Sequence, residues 1–278
     1  MICRTRRFGC APTAANTASD RSGVRPKVAP AIVLIAAVTI ALLRSLSAQS
    51  VDPEIGRMLE RTVQEAEKFR KQLQSVEYEA KMRVQEWDGR GRLRGTAKAH
   101  AIMRPGDVRP ITFLSREVHG KVRLPDDKED RKKEKEEEIT FQEFARQHQI
   151  AERFEFEAAG WEEMAGQRVR RVSFKPKPNQ PERSTADRFL DTITGTAWVS
   201  DENKLMRFEM RLTRPFQLFW IFAVLKDFSL KYELITPGEV LGHAKLKVLF
   251  ALTTPVYSIR QLHDVDLDNF RRRDGAAL

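Results

Sequence analysis

Apolar and polar positions alternate along most of this chain beyond residue 76. Tyr78, Ala80, Met82 and Val84 are interleaved with Glu79, Lys81 and Arg83, and Ala97, Ala99, Ala101 and Met103 with Lys98, His100 and Ile102. The signature returns at Phe154/Phe156, at Met206, Phe208, Met210 and Leu212, at Phe228, Leu230, Tyr232 and Leu234, and at Ala244, Leu246, Val248, Phe250 and Leu252. A period of two puts one apolar and one wet face on each strand. DGRGR at 88–92, SDEN at 200–203 and TPGE at 236–239 are short turn signals, so neighbouring strands should run antiparallel. Ahead of the strands, Asp52-Pro53-Glu54 offers an N-cap, a proline at the first helical position and an acid in the first turn. Ile55, Leu59, Val63, Ala66 and Leu73 then keep a helical stripe, which predicts a helix to about Leu73.

So long a sheet must cover its apolar face. The helix from residue 53 and a second expected over 139–150 are few for that task, and curling the sheet shares the burial among its own strands. The expected class is α+β, mainly antiparallel β: a curled, incomplete β-barrel with helices covering or plugging the apolar concave face.

One stretch breaks the alternation. FQLFWIFAVL, Phe216 to Leu225, is apolar on every side. Ten residues give at most ~15 Å of helix, half a bilayer core, so it cannot cross a membrane as a helix. Read helically, Phe216, Phe219, Trp220 and Ala223 share one face, and Leu218, Phe222 and Leu225 another. Two readings stand: a connection buried in the core, or a flap at a cavity mouth that meets lipid or a membrane surface.

Charge and targeting change the picture at the N-terminus. Of the formal net charge of +10, more than half lies in residues 1–48, where Arg4, Arg6, Arg7, Arg21, Arg25, Lys27 and Arg44 face Asp20 alone. VAPAIVLIAAVTIALL, from Val28 to Leu43, follows RPK and precedes RSLSAQS, the arrangement of a secretory signal cut after Ala48. A start at Val24 would give a conventional signal, which makes residues 1–23 a candidate gene-start artefact. The expected organisation is a signal peptide over 1–48 and a single domain over 49–278, periplasmic after cleavage. An uncleaved segment anchoring the chain in the inner membrane is the alternative. Both cysteines, Cys3 and Cys10, precede the apolar run, so the mature domain has no disulfide or thiolate chemistry. DDKEDRKKEKEEE at 126–138 reads as a solvated charged insert, and KPKPNQPERS at 175–184 as an exposed loop.

No constellation for catalysis emerges. His100, His119, His148, His243 and His263 lie far apart, and no HExxH, GxSxG, P-loop or GxGxxG occurs. Asp264-Val-Asp266-Leu-Asp268 begins like a calcium loop, but Asn269 and Gly275 stand where that loop needs glycine and glutamate. A last strand with an acidic outer face is the simpler reading. The basic clusters RVRR at 168–171 and FRRR at 270–273 lack interleaved aromatics, which argues against nucleic acid. No cofactor and no enzymatic activity are expected. Apolar surface remains: Met206, Phe208, Met210, Phe216, Phe219, Trp220, Phe222, Phe228, Leu246 and Phe250 are the candidate lipid-binding residues. Thioethers among them adapt to irregular acyl chains.

The order of elements also carries a resemblance. PEIGRMLERTVQEAEKFRKQLQS, then VEYEAKMRV, then GTAWVSDENKLMRFEMRL at 195–212 resemble the outer-membrane lipoprotein-sorting protein family, as do RVRRVSFKPKPNQ and VYSIRQLHDVDLDNFRR. The resemblance spans roughly residues 53–272. It implies an incomplete antiparallel barrel closed by helices, with a cavity that shields acyl chains without a cofactor. The charged insert and the aromatic run at 216–225 depart from that family. The expected function is a periplasmic, non-enzymatic carrier of lipid or lipoprotein acyl chains, with envelope proteins as donor and acceptor. A membrane-anchored envelope interaction protein without cargo is the alternative.

Overall fold

The computed structural model describes residues 53–107, 110–122, 147–219, 223–237 and 242–273. The expected signal segment at 1–48, the charged insert at 126–138, Trp220, Phe222 and most of the expected helix at 139–150 lie outside them.

Helix α1 runs Pro53–Leu73, as its start signal and stripe predict. Two strands follow, β1 (Val76–Asp88) and β2 (Leu93–Met103), joined by the expected turn, and then β3 (Ile111–Gly120). The short helix α2 (Ile150–Arg153) leads into β4 (Phe154–Met164) and β5 (Gln167–Pro176). Helix α3 (Thr185–Leu190) follows the proline-rich loop; Ser184 Oγ caps it by accepting the Asp187 N–H at 3.0 Å. The chain then continues as β6 (Ile193–Ser200), β7 (Leu205–Leu212), β8 (Phe216–Phe219), β9 (Ala223–Pro237), β10 (Gly242–Thr253) and β11 (Ser258–Arg272).

The eleven strands among the described residues form one sheet, in the order β3-β2-β1-β11-β10-β9-β7-β6-β5-β4, with β8 paired to β9 beside this path. Every pairing is antiparallel. The last strand docks on the first, so the β1–β3 hairpins extend a meander that begins at β4. The sheet does not close: β3 and β4 are its two ends. Register shifts at Glu77/Glu79, Trp198/Val199, His243/Ala244 and Ala251/Leu252 bend the ribbon, as bulges do, and the sheet curls.

The alternating residues sort as their spacing requires. Ala80, Val172, Phe174, Ala197, Phe208, Met210, Leu230, Leu246, Val248 and Val265 meet in one buried cluster on the concave face. Helix α1 adds Met58 to that cluster, and its Glu54 reaches Arg170 of β5 at 2.7 Å. The same helix leads through Ser75 into β1, so it bridges the two limbs of the curl. Gly195 lets the Phe174 ring lie flat over β6, since a Cβ there would stand 2.5 Å from Phe174 Cζ. On the convex face, Asp264 lies between Arg83 and Lys247, Asp266 between His243 and Lys245, and Asp268 against Lys81. That is the acidic-faced last strand read from the sequence. Among the described residues no group of three His, Cys, Asp or Glu side chains could hold a metal.

Two readings need correction. Phe216–Leu225 is not a helical connector. Phe216 pairs with Leu225 and Gln217 with Val224, which makes the stretch a hairpin between β8 and β9. A short apolar run has no periodicity that separates helix from strand, and pairing with β9 decides it. Second, β3 and β5 are strands that the alternation does not announce. The exposed ITFLSREVHG shows no clean alternation, and the arginines of RVRR hide the buried Val169 and Val172.

Candidate functional site

The concave face is tightly filled at its centre. Met206 and Phe208 are 0% exposed, and Met210, Phe216 and Leu246 are also buried. Phe208 stacks on Phe174 at 5.7 Å, and Phe174 meets Phe154 edge-on at the same separation. A side chain with no accessible surface touches protein on all sides, so Met206 and Phe208 form the floor of the face.

Toward one end the face loosens. Phe228 and Phe250 lie opposite each other on β9 and β10 and are half-buried. Phe189 of α3, also half-buried, packs edge-on against Phe216 at 5.4 Å and Phe228 at 6.0 Å. Leu225 and Leu252 pair one step further out. Of the ten candidates, the structure thus brings Phe228 and Phe250 to this mouth, with the buried Phe216 against Phe189 beside them, and sets Met206, Phe208, Met210 and Leu246 deeper in the face. Phe219 belongs to β8 by its backbone, next to Trp220 and Phe222, which are outside the described residues.

The pairing of β1, β10 and β11 shows what sequence reasoning missed: a polar chain crosses the apolar face beside the mouth. Glu86 of β1, Gln261 and His263 of β11 are all buried. Gln261 Nε2 donates to Glu86 Oε2 at 2.6 Å, and Arg94 reaches Glu86 Oε1 at 3.2 Å. That leaves the Gln261 Oε1 to accept from His263 Nε2 at 3.0 Å, which assigns the Nε2–H tautomer to His263. Phe250 stacks on the imidazole at 5.7 Å. Burial pushes the His263 imidazole down to about 4, so it is neutral at pH 7. The only sequence signal was polar residues at inward positions of alternating strands.

A second buried polar group holds the segments over that end. Arg153 of α2 donates to the Pro181 carbonyl at 2.8 Å and pairs with Asp191 and, at 3.6 Å, Asp187. His148 Nδ1 lies 2.6 Å from Asp187 Oδ1. Burial alone would raise the Asp187 carboxyl, but His148, the Arg183 N–H and the Arg153 guanidinium outweigh it and hold it below the usual range. These bonds pin α2 and α3 to the proline-rich loop. Ser184 Oγ adds to them by accepting the Asp187 N–H. The arrangement is a clamp.

No family model matches the chain, and no curated protein does. Solved structures with a similar outline include a DUF1329 family protein from Desulfovibrio piger, at 10% identity and a TM-score of 0.29, covering 80% of this chain and 94% of that one. A putative outer membrane lipoprotein-sorting protein domain from Vibrio parahaemolyticus is similar at 10% identity and a TM-score of 0.28, over 78% of this chain and 92% of that one. A chain of the Pseudomonas aeruginosa MucA/MucB complex is similar at 10% identity and a TM-score of 0.24, over 80% of this chain and 99% of that one. A lipoprotein-sorting domain is therefore among the structures that this chain is similar to, in the group its sequence resembles, and at these values the likeness decides nothing about the site.

Proposed function

We propose that this protein is a non-enzymatic binding protein of the cell envelope that shelters acyl chains of lipid or lipoprotein on its concave face. The observation that carries the reading is the gradient along that face: a sealed apolar floor at Met206 and Phe208 rises to half-buried Phe189, Phe228 and Phe250 at one end. Grouped, partly wetted aromatics over an apolar floor can gain burial from a ligand, whereas a finished core cannot. Each buried methylene contributes ~0.8 kcal/mol, so ten correspond to ~8 kcal/mol, near micromolar affinity. Met210, Phe216 and Leu246 belong to the same surface, and the Arg94–Glu86–Gln261–His263 chain beside it provides polar groups against which an ester or amide can settle. The signal-like N-terminal segment supports a periplasmic location.

A second reading, an envelope interaction protein without cargo, is favoured by one observation: Met206 and Phe208 leave no void at the centre of the face. Native mass spectrometry of protein purified from its own envelope separates the two. The carrier reading expects co-purified lipid and saturable binding of a fluorescent fatty acid, weakened in Phe228→Ser and Phe250→Ser proteins that still unfold cooperatively. An empty protein that binds no fatty acid would sink it.

A further inference from the structure

We infer that the rim around this mouth is a docking surface for an anionic phospholipid bilayer. Strand register places its parts together. Asp88 lies opposite Ile259, and Ile259 opposite Leu252, so the β1–β2 turn (88–92) and the β10–β11 turn (254–257) adjoin at one end of the sheet. Leu252 in turn faces Leu225, next to the β8–β9 hairpin, so the rim and the apolar mouth share that end. The two turns line an open groove whose wall carries Arg90, Arg92 and Arg94.

Charge and exposure select the occupant. Val256 is the most exposed large hydrophobic side chain described, at 87%, and Leu93 is 55% exposed. Arg90 and Arg92 are exposed beside them, with Lys121, Lys226 and Arg260 on neighbouring strand ends. The acids here are paired: Asp88 holds the Arg92 guanidinium at 2.8 Å, and Asp227, its side chain half exposed, lies 4.0 Å from Arg260. Asp88 Oδ1 accepts the backbone N–H groups of Arg90 and Arg92 at 2.9 and 3.0 Å, and Glu86 is buried under Arg94. Arg90, Lys121 and Lys226 are in excess of these pairs, so the balance around the two protruding aliphatic tips is cationic. A lone exposed valine is ordinary, but one at the apex of an arginine-lined rim matches headgroups outside and acyl chains within. The two turns are internally tied, Asp88 in one and Thr254 to Tyr257 in the other, so the surface is preformed. Docked this way, the mouth at Phe228 and Phe250 faces the bilayer and a chain can pass without crossing water. That use rests on the acyl-binding reading; the docking itself does not.

The test is co-sedimentation of the full chain with vesicles containing phosphatidylglycerol or made only of phosphatidylcholine, at low and high salt. Expected is binding to the anionic vesicles that salt weakens. A cation near such a surface contributes about five-fold in partitioning, so Arg90→Glu, a two-charge change, should weaken binding about 25-fold. Val256→Asp should weaken it further, and both proteins should melt as the parent does, because both side chains are exposed. Both should also bind the fluorescent fatty acid normally, whereas Phe228→Ser should lose fatty acid and keep vesicle binding. Absent vesicle binding, equal binding to both compositions, or variants that bind like the parent would overturn the inference. So would capture of an acidic protein through Arg90 without vesicle binding.

Discussion

His263 should make this fold acid-sensitive through a single side chain. It stands on β11 between Val84 and Val248, buried on the concave face against the Phe250 ring. Its Nε2–H is committed to Gln261, and burial holds its pKa at about 4 against an ordinary 6.5. Glu86 and Arg94 face the same network, and neither offers the ring a direct partner in the bonds described. Between pH 6.5 and 4 the unfolded chain binds a proton that the folded chain does not. Stability is therefore complete above the unfolded value, falls as pH drops through that window, and has lost the full contribution below 4. The difference corresponds to ~3 kcal/mol. Urea unfolding of the parent and of His263→Gln at pH 7, 5.5 and 4.5 isolates it. Glutamine can still donate to Gln261 but cannot titrate, so carboxylates such as Asp187 contribute equally to both curves. The parent should lose ~2–3 kcal/mol more than the variant across the range. Parallel curves would refute the reasoning.

Three further outcomes follow from the packing. Arg153→Met leaves Asp187 and Asp191 without their buried cation and should cost ~3–5 kcal/mol, measured by denaturant midpoint. A loss below ~1 kcal/mol would show the clamp to be marginal. Gly195→Ala drives a methyl into the Glu209 carbonyl and the Phe174 ring, and should lower the melting temperature by an amount equivalent to ~1–3 kcal/mol. In contrast, Asp264→Asn disturbs only the outer ion-pair ladder, with Lys247 at 3.7 Å and Arg83 at 4.0 Å, and should shift stability by less than ~1 kcal/mol in a thermal melt.

Local rules carried the sequence a long way. Helix α1 follows from a cap, a proline and a stripe, all within one segment. The inward faces of β1, β2, β7, β9 and β10 follow from alternation, because a period of two needs no knowledge of the neighbouring strand. The acidic outer face of β11 is legible for the same reason, as is the turn at Asp88–Arg92. Tertiary structure decided what depends on partners distant in sequence. Residues 216–225 are apolar on both faces, so only pairing with β9 makes them a hairpin. The docking of β11 on β1 brings Gln261 to Glu86 across 175 positions, and no local pattern announces a hydrogen bond of that span. Nor does any show that Met206 and Phe208 lie on a sealed floor while Phe228 and Phe250 reach the mouth. All four occupy inward positions in equivalent strands, and what separates them is which elements pack above. Alternation in sequence determined which way each side chain points; the curl of the sheet and the helices laid over it decided which of them still meet water.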